Sequence, residues 1–318
     1  RLGGSRAFIP KDTTAIVHSM MSDDFSQIAL VTGGNRGLGL EAVKSILDAD
    51  PTIFVYLGCR DLEAGRAVAS NLEQTYGRRI EALKVDVGDS VSIWKAAEIV
   101  TARHQHLDIL VNNAGILLDA DSEQVDMQAV RKTMQINFQG VVAVTEAFLP
   151  LLLKSPARGQ ILTTSSGCGT RALGLLSPEI RAALLDADLN ETKLDTILDE
   201  LVAGLQDPNN SGHSIPTVGY SLSKLGVNCF TQILSRRYPN LRINACSPGF
   251  CNTGMCANYT GERKPKDPAL GASVFAKVLF GDLGRERTGT FFKEASKPET
   301  PLDKAVSVVE PWVALAEK

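Results

Sequence analysis

The chain has 318 residues, long enough for one large α/β domain or two small ones. Its 33 Lys and Arg face 36 Asp and Glu, a formal charge of -3 without a long basic block, which argues against nucleic acid or an anionic membrane as partner. The longest apolar runs, such as residues 141–153, are short or interrupted by Glu146 and Pro150, so none reads as a bilayer span.

Six cysteines (Cys59, Cys168, Cys229, Cys246, Cys251, Cys256) do not make a disulfide framework in a chain this long, and a reducing cytosol suits them best. Cys246, Cys251 and Cys256 recur without a nearby His, and His18, His104, His106 and His213 are scattered, so no metal site is expected. Residues 1–22 carry neither a secretory apolar core nor a convincing Arg-rich amphipathic pattern. They read as a disordered extension or an expression-derived leader, with a single domain over 23–318.

From Gln27 onward, short apolar runs alternate with stretches of helical period, the pattern of successive strand–helix–strand units around a parallel sheet. The first predicted strand, 27–32, leads into "TGGNRGLGLE" and a helix over 38–49. Glycine at 33, 37 and 39 lets the backbone approach a pyrophosphate whose charge then faces a helix N-terminus, so this turn reads as a dinucleotide cradle. A strand at 52–58 ends in "CRD" before a helix over 61–76, and a strand at 80–85 precedes a helix over 90–104. The strand at 107–112 opens into "NNAG". The apolar helix predicted over 126–154 carries Asn137, a poor helix former, near its middle.

The strand at 159–165 ends in "TTSSGCG", which offers two hydroxyls, Ser165 and Ser166. An insertion over about 171–215 then breaks the rhythm, with helical periods near 177–186 and 191–205, the second capped at Asn190 and closed by "DPNNSG". The helix over 217–237 begins in "GYSLSKLG", which places Tyr220 and Lys224 one turn apart; that spacing alone also suits an ordinary solvated face. A strand at 241–247, a helix over 268–280 and a strand at 288–292 complete a doubly wound, Rossmann-type, seven-stranded parallel sheet.

The glycine turn departs from the G-x-G-x-x-G spacing of many dinucleotide-binding proteins and resembles the T-G-x-x-x-G-x-G pattern of the short-chain dehydrogenase/reductase family, matched by Thr32, Gly33, Gly37 and Gly39. "NNAG" at 112–115, S-x-x-G at Ser166 and Gly169, Tyr220 with Lys224, and P-G-x-x-x-T at Pro248, Gly249 and Thr253 follow in the family's order. The resemblance implies a nicotinamide cofactor held by Thr32, Gly33, Asn35, Arg36, Gly37, Leu38 and Gly39 in the turn. It adds Arg60, Asp86, Val87, Asn113, Ala114 and Gly115 at later strand ends, then Tyr220, Lys224, Pro248, Gly249 and Thr253. Cys59 stands where NAD-preferring members carry an acid, and Arg36 and Arg60 offer paired hydrogen bonds to a ribose phosphate, so the expected cofactor is NADP(H). Asp61 could partly neutralise the pair.

The resemblance also implies a catalytic set of Asn137, Ser166, Tyr220 and Lys224, with Ser165 as the alternative hydroxyl one residue out of register. Hydride reduction of a carbonyl leaves negative charge on its oxygen, so the site needs a proton donor and a second hydrogen-bond donor there. Lys224 is expected to favour the phenolate of Tyr220 by its charge and, by resemblance, to hold the nicotinamide ribose, while Asn137 would hold a relay water. Ser166 and Tyr220 stand 54 residues apart, whereas typical members keep them close. That gap is similar to the one in the monomeric carbonyl reductases, a subgroup with the animal carbonyl reductases and plant salutaridine and menthone reductases. The inserted helices of that subgroup cover the face through which other members oligomerise, so a monomer is expected. The activity implied is NADPH-dependent reduction of a ketone, aldehyde or quinone in the cytoplasm. Oxidation of a specific secondary alcohol and a retired NADPH-binding sensor or scaffold remain as alternatives.

Overall fold

The computed structural model describes residues 25–119, 125–207, 211–257, 259, 261–285, 287–294 and 306–308. The expected extension at 1–22 lies outside them. Near-continuous apolar runs form the strands β1 (Gln27–Thr32), β2 (Ile53–Cys59), β3 (Ile80–Lys84), β4 (Ile109–Asn112), β5 (Gln160–Thr164), β6 (Arg242–Ser247) and β7 (Phe291–Glu294). They lie in the order β3-β2-β1-β4-β5-β6-β7, all parallel. All seven residues of β2 are buried, as a strand covered on both faces requires. A short strand that the sequence pattern did not announce, β8 (Val306–Val308), pairs antiparallel with β7 at the edge. The last parallel strand also starts three residues later than the predicted 288, because Gly289 turns with φ 68 ahead of it.

Two apolar layers sandwich the sheet. On one face Ala29, Val31, Val55, Leu57 and Val111 pack with Val43, Ile46 and Leu47 of α1 (Gly37–Ala49), Ala69 of α2 (Leu62–Tyr76) and Phe275 of α10 (Pro268–Leu279). Opposite them, Leu30, Phe54, Tyr56, Leu110 and Ile161 pack under α3 (Ser90–His104), α4 (Met127–Met134), α5 (Gly140–Leu152) and α9 (Val218–Arg237). The helix predicted over 126–154 is interrupted: a wider π turn, Gln135–Gln139, separates α4 from α5 and holds Asn137. Such turns commonly mark places where a helix re-aims a side chain.

The insertion folds as α6 (Gly167–Leu175), α7 (Pro178–Leu185) and α8 (Glu191–Gly204). Local chemistry starts each one. Ser166 accepts from Cys168 N at 3.2 Å, Ser177 from Ile180 N at 3.4 Å with Pro178 next in line, and Asn190 from Lys193 N at 3.0 Å. Each cap contributes about 1 kcal/mol. Helix α8 buries Leu194, Leu198 and Val202, each worth roughly 1.5–3 kcal/mol of apolar burial, on the side facing α9. Arg237 on α9 closes the contact with an ion pair to Glu191 at 2.8 Å.

Because the chain runs outward from β1 through β2 to β3 and then returns to β4 on the other side of β1, the sheet has its switch point between β1 and β4. Ligand crevices form beyond the carboxyl ends of strands at such a point.

Candidate active site

The glycine turn and "NNAG" meet at that switch point. Thr32 Oγ1 accepts from Asn113 N at 3.0 Å and Ala114 N at 3.1 Å, and Asn113 Nδ2 donates to Thr32 O at 3.0 Å. Glycine is required where the two loops close. A Cβ on Gly39 would lie 2.1 Å from Gly33 O and 2.5 Å from Asn113 Nδ2, while Gly33 and Gly37 take φ of 66 and 54. Helix α1 begins at Gly37 with no side-chain cap and no acid in its first turn, so its N–H groups remain available to an anion. Thr253 closes on the turn from the far side, its Cγ2 3.3 Å from where a Gly37 Cβ would be, after a backbone reversal at Gly249 with φ 82 that follows buried Pro248. Asn35 lines the turn, and Leu38 packs back on the core below it.

Arg36 and Arg60 flank this cradle. Both are exposed, and neither guanidinium has a hydrogen bond or an ion pair among the described residues. Asp61 forms no ion pair with Arg60 among the described residues; its carboxylate caps α2 by accepting from Ala64 N at 3.1 Å. Cys59, in the place of an acid, is buried and donates to Asp61 O at 3.1 Å. Asp86 Oδ1 accepts from Gly88 N at 3.0 Å, which fixes the loop after β3, with Val87 partly buried beside it. A glycine cradle, an uncapped helix start and two unpaired guanidiniums are the donor set of a phosphorylated dinucleotide, so the residues present fit one.

Past β5 the two serines diverge. Ser165, 3 % exposed, donates to Asn228 Oδ1 at 2.7 Å and is spent inside the protein. Ser166 sits at the start of α6, near enough to Tyr220 for its hydroxyl to act on the phenol. The geometry therefore brings Ser166 and Tyr220 together and leaves Ser165 out. Gly169 allows the approach: a Cβ there would lie 2.6 Å from Lys224 C and 2.7 Å from Lys224 O, inside the backbone of α9.

Lys224 is 4 % exposed, donates to Thr164 O at 2.7 Å and holds Nζ 5.6 Å from the centre of the Tyr220 ring. Burial lowers its ammonium to about 8. Tyr220 is partly exposed, and burial of its surroundings pushes the phenol above its ordinary value. The thiols of Cys168 and Cys256 and the carboxylate of Asp119 push the same way, while the Ser166 hydroxyl opposes them. The contact of the Lys224 ammonium with the Tyr220 ring places a cation beside the phenol, while burial acts on the phenol in the opposite direction.

Asn137 is fully buried and closes a pair of hydrogen bonds with Ile116, accepting from its N at 2.8 Å and donating to its O at 2.7 Å. Its amide also reaches Ser223 Oγ at 3.3 Å, next to Lys224. Gly115 lies against it, since a Cβ there would be 3.2 Å from Asn137 Oδ1. The π turn thus ties the loop after β4 to α9. Asp119, in that same loop, touches the Tyr220 turn, a role for which "LLDAD" offers no spacing signal in the sequence. Among the described residues, no group of three or more His, Cys, Asp or Glu is placed to hold a metal ion, and no helix is long and apolar enough to cross a membrane.

Fold and site together define a dinucleotide-binding α/β protein with a serine, a tyrosine and a lysine at the carboxyl edge of the sheet. The profile of the short chain dehydrogenase family matches residues 27–178. Carbonyl reductase [NADPH] 1 of Homo sapiens is 31% identical over 257 residues, covering 78% of this chain and 88% of that protein. Among solved structures, salutaridine reductase from Papaver somniferum superposes with a TM-score of 0.71 at 26% identity, over 83% of this chain and 99% of that one. A putative short chain dehydrogenase from Escherichia coli CFT073, complexed with NADPH, gives a TM-score of 0.65 at 27% identity, over 85% and 96%. The chain belongs to the short chain dehydrogenase family and is an oxidoreductase of the carbonyl reductase-like kind.

Proposed function

We propose that the protein reduces the carbonyl group of a ketone, aldehyde or quinone to the alcohol with NADPH, and that Tyr220 is the general acid. The observation that carries this reading is the meeting of Ser166, a partly exposed Tyr220 and buried Lys224 beside the switch-point cradle. NADPH, when bound, supplies a hydride to the carbonyl carbon. The rest falls to the chain. Ser166 Oγ and Tyr220 Oη donate to the carbonyl oxygen, and the phenolic proton completes the alcohol. Lys224, still largely cationic at neutral pH with its ammonium near about 8, offsets the charge left on the tyrosine. Asn137 holds the loop after β4 against α9, and Arg36 and Arg60 select the phosphorylated cofactor.

An apolar substrate fits the surroundings. Cys168 and Cys256 bring α6 and the loop after β6 close to Tyr220, and these segments expose Leu175, Met255 and Tyr259. A monomer follows from the insertion, because α8 buries its apolar face on α9 within the same chain. The six unbridged cysteines support a cytosolic setting.

The test is NADPH oxidation, followed by absorbance, over quinones, aromatic aldehydes, cyclic ketones and isatin-like diones, beside a sedimentation measurement. Turnover on the panel and a monomer are expected; turnover confined to alcohols with NADP would overturn the reductive reading.

A further inference from the structure

The first turn of α9 has an unusual start. A helix leaves its first N–H groups without internal partners, and a Thr at the preceding position ordinarily caps them with its hydroxyl. Thr217 does not. Its backbone is left-handed, φ 45 and ψ 59, a sparsely populated conformation for a β-branched residue, and its Oγ1 bonds Pro216 O at 2.8 Å instead. The exposed donors are met from 100 residues away in sequence. Asp119 Oδ2 accepts from Gly219 N at 2.6 Å and from Tyr220 N at 3.4 Å.

Two further observations set this contact apart from an ordinary cap. Gly219 is pressed between Asp119 and α4, for a Cβ there would lie 2.8 Å from Val130 Cα and 3.2 Å from Asp119 Oδ2. Asp119 is 8 % exposed, and its Oδ1 accepts no hydrogen bond among the described residues. A buried carboxylate using only one oxygen is a costly way to hold a helix end that a neutral hydroxyl could cap. What the charge adds is strength and reach, since bonds to an ionised acceptor are about twice as strong as neutral ones.

We infer that Asp119 is a positioning residue for Tyr220: it fixes the turn that bears the phenol to the loop that carries "NNAG", so that the proton donor and the cofactor cradle move as one body. The inference rests on the reading of Tyr220 as the acid. Around the phenol, Ser166 and Cys168 come from α6, Cys256 from the loop after β6, Lys224 from α9 itself and Asp119 from the loop after β4. Asp119 reaches the tyrosine at its backbone N–H from outside α9, and its charge also works to keep the phenol protonated.

The experiment compares Asp119→Ala, Asp119→Asn and Tyr220→Phe in the full chain. It measures steady-state kinetics with NADPH and isatin, NADPH binding by fluorescence, and hydrogen exchange across α9. A misplaced reacting group costs up to about 100-fold, so Asp119→Ala is expected to lower kcat by about 10-fold or more with the Kd for NADPH within about twofold. Exchange at 218–221 should quicken while 225–235 stays protected. Asp119→Asn, which retains one acceptor oxygen, is expected to restore most of kcat and to slow the exchange again, and it carries the test if the alanine variant does not fold. Unchanged kcat in Asp119→Ala beside an inactive Tyr220→Phe would overturn this inference alone. Equal loss of kcat, NADPH binding and protection along all of α9 would overturn it too, by showing a general structural role. An active Tyr220→Phe would remove the reading beneath it.

Discussion

Lys224 Nζ stands 5.6 Å from the centre of the Tyr220 ring and gives its hydrogen bond to Thr164 O at 2.7 Å, so the cation is fastened to the end of β5 and not to the phenol. Burial depresses its ammonium from 10.5 to about 8. Two consequences have opposite signs. In function, the charge that offsets the developing tyrosinate is lost as pH rises through about 8, so kcat/KM for reduction should fall on the alkaline side, read from a profile over about pH 6 to 10.

In stability, a lysine whose folded pKa is lowered opposes folding while it is charged, and that penalty disappears as pH rises from about 8 toward 10.5. Lys224→Met removes it at pH 7. The variant should show a Tm equal to or above the parent's, set against the lost bond to Thr164, and a kcat lower by about 100-fold or more. Calorimetry beside kinetics checks both; a marked fall in Tm would mean that the ammonium stabilises the fold.

The adjacent serines separate chemistry from packing. Ser166→Ala should reduce kcat by about 100-fold with little change in Tm, as expected for one lost donor to a developing oxyanion. Ser165→Ala leaves buried Asn228 without its donor and should cost about 1–3 kcal/mol of stability while kcat holds. Reversed outcomes would put the reacting hydroxyl at 165.

Arg36 and Arg60 are exposed and unpaired among the described residues, so removing either should weaken NADPH specifically. Arg60→Ala is expected to raise the Kd for NADPH by about 10-fold or more, the value of a charge-assisted bond, and to leave NADH unchanged. Equal weakening of both cofactors would show that the guanidinium does not read the phosphate.

Much of this architecture was legible in the chain because strands covered on both faces are written as unbroken apolar runs, as at Ile53–Cys59, and because glycines at 33, 37 and 39 mark a turn with few alternatives. The residue ambiguity at Ser165 and Ser166 could not be settled from spacing; it depends on which hydroxyl finds Asn228 on α9. Nor could the π turn at Gln135–Gln139, since its apolar pattern is that of an uninterrupted helix. Strand β8 is three residues long and paired only at an edge, too short to leave a period. The upward push on the phenol comes from burial, which a sequence does not display, and the place of Asp119 from a contact made 100 residues away.

The central claim is that the Tyr220 hydroxyl donates the proton. Its most direct test is the single-turnover rate of carbonyl reduction by Tyr220→Phe saturated with NADPH, with cofactor affinity measured in the same preparation. The rate should fall by at least about 100-fold with the NADPH Kd within about twofold of the parent, as for loss of a general acid. A rate close to the parent's, with cofactor bound normally, would contradict it.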